Sequence, residues 1–197
     1  MELSIGAAIL FGLGATAVNS AMNLGSTKLY FNIAQHGWGY LGLSYILLLI
    51  VQDTYFYFLH RALHHPWLFK WMHQGHHKSG DPTPWTSFAF DPLEVILQSA
   101  FLIAIVYVVP LHLAVLIALL ITMTIWSVWN HLGFELFPPA FPRHWLSRWF
   151  IGPTHHAIHH RKYRHHYGLY FTVWDRLLGT HDPAYDREFT LALKSKS

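Results

Sequence analysis

Histidine makes up 17 of the 197 residues, and much of it falls in short clusters spaced for metal binding. His60 and His64 stand four residues apart, while His73, His76 and His77, and again His156, His159 and His160, stand at i, i+3 and i+4. On a helix each spacing puts the rings on one face, so each cluster can reach a single metal region. His131 stands alone in Asn130-His131-Leu132-Gly133-Phe134-Glu135. One transition metal takes at most about six ligands, so nine imidazoles point to two metals. Imidazole suits iron, copper, zinc and nickel alike and names none of them. A haem needs only two axial histidines and would leave most of the set without a role. The chain has no cysteine, which excludes disulfides, zinc–thiolate sites, iron–sulfur clusters and cysteine nucleophiles together. His65, His144, His155, His165 and His166 flank the clusters without fitting their spacing and are left outside the ligand set.

The elements that position these clusters are apolar. Hydrophobic residues form 53% of the chain and charged residues 12%, which is too apolar for an ordinary soluble fold. Spans are expected near residues 3–18, 39–59, 93–109 and 111–129, the last two separated at Pro110. The resulting fold class is an all-α integral membrane domain over 1–197, with about four helices in two hairpins beneath a His-rich helical cap. A single kinked helix over 93–129, or a re-entrant first segment, is the alternative arrangement. Met1-Glu2-Leu3 lacks the basic region of a secretory signal, so the first apolar run reads as a retained anchor. Only Lys28 precedes Leu59, whereas the other 12 lysines and arginines lie in 60–92 and 131–197, which places those segments in the cytoplasm. They also hold 15 of the 17 histidines, so the metal site belongs to the cytoplasmic face of a bacterial inner membrane or endoplasmic reticulum. The formal charge of +3 sits among tryptophans and apolar spans, which fits an anionic membrane surface and not nucleic acid. Residues 79–84 read as a polar loop, and the tail after Asp182 reads as peripheral.

A metal-bound imidazole needs a partner for its other ring nitrogen. Asp53 lies seven residues before His60, on the same helical face, where a carboxylate in an apolar span is costly and points to function. Asn130 and Asp175 are further candidates for this role.

The order HxxxH, HxxHH, lone NH, HxxHH resembles the fatty-acid hydroxylase and sterol desaturase superfamily. Phe90-Asp91-Pro92-Leu93-Glu94, Tyr167-Gly168-Leu169-Tyr170, Trp174-Asp175-Arg176 and Gly179-Thr180 add to the likeness, which runs from Asp53 to Pro183 and is strongest to sterol desaturase-like members. The resemblance implies two iron ions (a di-iron centre) and O2 as co-substrate. It also implies ligation by His60, His64, His73, His76, His77, His131, His156, His159 and His160, and hydroxylation or desaturation of a sterol, fatty acid, sphingolipid or similar lipid from the bilayer. Relatives often carry another histidine four residues after the lone one, where this chain has Glu135. That carboxylate can ligate a metal, hold a metal-bound water, or face solvent. No nucleotide or flavin fingerprint is present, so electrons are expected from a cytochrome b5-like or ferredoxin-like protein and its reductase. Tyr55, Phe56, Tyr57 and Phe58 can line a lipid entrance or form an interfacial belt. The competing class is a histidine-rich metal transporter or metal-binding membrane protein, which would place its ligands near the bilayer midplane.

Overall fold

The computed structural model describes residues 2–80 and 82–194; Asp81, within the expected polar loop, lies outside them. In chain order it has α1 (Glu2–Asn23), β1 (Leu29–Tyr30), α2 (Gly37–Leu63), α3 (Pro66–Met72), α4 (Pro92–Val108), β2 (Leu111–His112), α5 (Leu113–Asn130), α6 (Pro153–Lys162), α7 (Val173–Leu177) and α8 (Tyr185–Lys194). Helices α1, α2 and α5 are long and apolar enough to cross a membrane, and α4 is a shorter apolar helix of 17 residues. Proline sets its bounds. Pro92 occupies the first turn, where no N–H is needed, and Val109 before Pro110 leaves the helical region. α1 runs to Asn23, well past the expected 18, and α2 extends to Leu63 so that it carries His60.

The connections α1–α2 and α4–α5 turn at the same end. β1 and β2 pair there in parallel, Leu29 with Leu111 and Tyr30 with His112, and Lys28 Nζ donates to Val108 O at 3.0 Å. The two hairpins interlock, with α1 packed mainly on α4 and α2 on α5. Leu48, Leu111, Val115 and Leu119 form the core between them. Ile9, Leu13, Ile46, Ile50, Ile121 and Ile125 point outward, as expected where hydrocarbon is the solvent and helices associate by packing. Tyr55 Oη donates to Leu97 O at 2.6 Å while its ring stacks on Phe101, tying α2 to α4.

The opposite end is capped by α3, α6, α7, α8 and their loops. The tail is not peripheral: Tyr185 and Phe189 of α8 are buried against Phe141 and Ile158, because one face of this short helix is apolar.

Candidate metal centre

The nine histidines gather in the cap as two groups. His60, His64, His73, His77 and His159 bring one ring nitrogen each to within 4.8 Å of one another, and so do His76, His131, His156 and His160. Each three-histidine box therefore serves both groups, which departs from the one-face expectation. α3 ends at Met72 and the chain turns through a 3-10 segment at His76–Lys78, sending His73 and His77 one way and His76 the other. On α6, His159 joins the first group and His156 and His160 the second.

Within each group the Nε2 atoms face one another. The separations are 3.0 Å for His60 and His73, 3.1 Å for His159 with both His64 and His77, 3.1 Å for His131 and His156, and 3.0 Å for His156 and His160. The opposite ring nitrogens show what these contacts are. Nδ1 of His60 donates to Tyr167 O at 3.0 Å, that of His73 to Glu94 Oε2 at 2.8 Å, and that of His131 to Ser127 O at 2.8 Å. Nδ1 of His159 donates to His165 O at 2.7 Å and that of His160 to Ser79 O at 3.0 Å. An Nδ1 that donates to oxygen holds the single hydrogen of a neutral imidazole, leaving Nε2 a bare lone pair. Burial, reinforced by the neighbouring imidazoles, holds His73, His76, His156 and His159 far below the usual histidine pKa. Burial lowers His131 to about 4 and His160 to about 3. Neutral lone pairs aimed at one another repel unless a cation lies among them. At metal–nitrogen distances of about 2.0–2.1 Å, two ligands at right angles stand about 3 Å apart, which matches the observed spacing. The residues present thus fit two imidazole-bound metals.

Glu94 is the partner that the sequence reading did not single out. It is buried in the first turns of α4, and Gln98 Nε2 donates to its Oε1 at 3.1 Å. The signal was an acidic residue inside an apolar helix, the same one that singled out Asp53. Glu94→Gln keeps the shape and removes the charge that makes His73 a stronger donor to metal. Metal affinity is expected to fall about 10-fold or more, read by chelator competition with helical content unchanged.

Asp53, Asn130 and Asp175 do not hold imidazoles; they converge on one loop instead. Asp53 Oδ1 accepts the N–H groups of Leu169, Tyr170 and Phe171 at 2.7–3.2 Å, and Asn130 Nδ2 donates to Leu169 O at 3.3 Å. Asp175 accepts the N–H groups of Tyr167 (2.9 Å) and Gly168 (3.0 Å) and the Thr180 hydroxyl (2.7 Å). A Cβ at residue 168 would collide with Phe171 O, so glycine is required for this tight turn. The loop's product is the Tyr167 carbonyl that receives His60 Nδ1.

Glu135 does not face solvent: it is 1% exposed. Its Oε1 accepts the N–H groups of Leu136 and Phe137, both at 2.9 Å, and its Oε2 accepts the Thr154 N–H (3.2 Å) and hydroxyl (2.7 Å). It stands at the positive end of α6 and is not a member of either histidine group.

A third group, His155, His166 and His181, also brings ring nitrogens within 4.8 Å. Its chemistry is the reverse. His155 Nδ1 accepts the Gly152 N–H (3.1 Å) and His166 Nε2 accepts that of Asp182 (3.3 Å), so the unpartnered His155 Nε2 and His166 Nδ1 carry hydrogens. Donors in place of lone pairs do not bind a cation, and His155 and His166 stay outside the ligand set although both are buried.

Residues 45–180 match the family model described as fatty acid hydroxylase. The chain is 36% identical over 157 residues to a Delta(7)-sterol 5(6)-desaturase of Gibberella zeae, covering 80% of this chain and 47% of that protein. It is 38% identical to lathosterol oxidase of Rattus norvegicus (79% and 51% covered) and 35% identical to that of Homo sapiens (79% and 51% covered). The chain thus spans about half the length of these curated relatives. No solved structure matches it significantly.

Proposed function

The chain belongs to the fatty acid hydroxylase family, and from that premise we propose that it is a membrane lipid oxidoreductase. In this reading it holds one iron in each histidine group and uses dioxygen to desaturate a sterol-like lipid. One observation carries the reading. His60, His73, His76, His131 and His156, drawn from both groups, line one small cavity of about 50 Å³. That cavity shares Phe11, Phe88 and Met123 with an apolar cavity of about 570 Å³ walled by α1, α4 and α5. A lipid lying in the larger cavity would present a carbon to the histidines through the gap between these three side chains.

Bound iron would supply the activation of dioxygen. The protein's own contribution is positional. Leu102, Ile103, Leu116, Ile117 and Leu120 offer the lipid an apolar wall, and Phe11, Phe56, Phe88 and Phe90 keep water from the reacting carbon. The carbonyls of Tyr167, Ser127, His165 and Ser79 and the Glu94 carboxylate fix the ring hydrogens at Nδ1, so that every Nε2 they control is directed inward. The matched relatives are named for sterol 5(6)-desaturation and lathosterol oxidation, which supports removal of two hydrogens over insertion of oxygen. Over the full reaction two hydrogens leave adjacent carbons, and dioxygen with two electrons and two protons becomes two waters. The electrons come from a cytochrome b5-like or ferredoxin-like carrier, and the lysine and arginine distribution supports a site on the cytoplasmic face. Ligands gathered in a cap at the helix ends argue against a transporter, whose ligands would lie near the midplane.

The test compares lipids of cells with and without the expressed protein, with and without oxygen. Loss of two hydrogens from a sterol supports the proposal, gain of one oxygen replaces desaturation by hydroxylation, and no oxygen-dependent change in any lipid class overturns it. The cavity makes its own prediction. A Cβ at Gly14 would meet Ile103 and Ser99 at 3.8 Å, so alanine fits there and leucine fills the space. Gly14→Leu is expected to cut kcat/KM about ten-fold or more with metal content unchanged, measured with purified protein in bilayer nanodiscs.

A further inference from the structure

The histidine centre has a second side that the lipid does not use. None of His64, His77 or His159 lines the cavity that opens toward the lipid. His64 is also the one member of the nine that is not buried. Over this side lies Tyr163, which ends α6 in the left-handed conformation at φ 64° with its N–H bonded to His159 O at 2.8 Å. Its ring is 4.7 Å from that of His77, 6.3 Å from His64 and 5.6 Å from Phe69. The residue is 40% exposed, so it joins the first histidine group to the surface.

The surface around it is basic. Arg61 and Arg164 are exposed and lie within electrostatic reach of Tyr167, whose hydroxyl donates to Tyr163 O at 3.0 Å. Lys78 directly follows His77 and is exposed as well. Among the described residues no carboxylate pairs with these three cations, whereas Arg161 and Lys162 are taken up by Glu188 and Asp182.

We propose that exposed Tyr163, together with the exposed cations Arg61, Lys78 and Arg164, forms the docking face for an acidic one-electron carrier protein, which delivers electrons to the first histidine group from the side away from the lipid cavity. This rests on the oxidoreductase reading above and adds the partner's surface and charge. Two opposed faces let donor and lipid be bound together, so each electron reaches a centre already committed to substrate. Unpaired cations steer an acidic partner and lose that effect with salt. An exposed ring in contact with a ligand ring shortens the gap the electron crosses.

The experiment uses the purified chain in air-saturated buffer, in nanodiscs of neutral phosphatidylcholine carrying a Delta(7)-sterol, loaded with ferrous iron. A soluble acidic b-type cytochrome, pre-reduced, is one donor, and ascorbate, a small molecule that needs no protein docking face, is the other. The triple variant Arg61→Glu, Lys78→Glu, Arg164→Glu is expected to slow cytochrome reoxidation at low salt by about ten-fold or more, with the difference shrinking as salt rises. Product formed with ascorbate should not change. Tyr163→Leu should slow transfer at saturating cytochrome without weakening its binding, and Tyr163→Phe should restore it. Wild-type rates with the cytochrome in the triple variant overturn the proposal. So does a variant whose only defect is weaker association with anionic lipid vesicles, which would make the cluster a headgroup anchor. No product from wild type with either donor overturns the oxidoreductase reading itself, and this inference with it.

Discussion

Replacing His159 by alanine should lower bound metal from two ions per chain to one and reduce lipid turnover by more than about a hundred-fold, since even groups outside the ligand set cost about 10–100-fold. His159 is the choice because its Nε2 meets those of both His64 and His77, so it stands at the centre of the first group. The second group shares no member with the first, so its ion should remain. Metal per chain by elemental analysis, together with helical content, separates loss of a ligand from loss of the fold. His144→Ala is the control, because that ring is exposed and only accepts the Leu146 and Ser147 N–H groups. A His159→Ala protein that keeps two ions and wild-type turnover would remove the histidine groups from the mechanism.

Asp53→Ala should be the most destabilising single change outside the histidines. The carboxylate is 2% exposed and accepts three backbone N–H groups, all of which the alanine leaves without an acceptor. Leaving one buried donor unpaired costs about 1–3 kcal/mol, so the loss here should reach about 3 kcal/mol or more. The loop at 167–171 would loosen, and with it the Tyr167 carbonyl that directs His60, so metal affinity should fall as well. Asp53→Asn keeps one acceptor oxygen and should fall between the two. Denaturation midpoints in mixed detergent and chelator competition read the two effects separately; an Asp53→Ala chain as stable as wild type and holding both metals would sink the argument.

Eight of the nine histidines are visible from spacing and His131 from the order of motifs in the family, and the apolar helices beneath them are visible as hydrophobic runs. Prolines 92 and 110 marked both ends of α4 because a missing N–H and a fixed φ act locally. Asp53, Asn130 and Asp175 stood out correctly as costly or well-placed polar groups, but their partners were misjudged. A carboxylate seven residues from His60 shares its helical face, yet the backbone N–H groups that fill its acceptor capacity come from residues 116 to 118 positions away. Glu135 was noticed only as a departure from relatives, and its true partners at Thr154 belong to another element. Glu94 carried the same local signal as Asp53 and was passed over.

The sequence by itself set out which rings can bind a metal: helical spacing, a property of local geometry, picks out eight of them, and the order of motifs in the family adds His131. Tertiary structure alone decided how the rings divide into five and four, since a 3-10 turn after α3 and the docking of α6 choose the destination of each side chain. It also decided which nitrogen points into each histidine group. In four of the five histidines whose Nδ1 is held, a backbone carbonyl makes that choice, and every residue carries a carbonyl whatever its type.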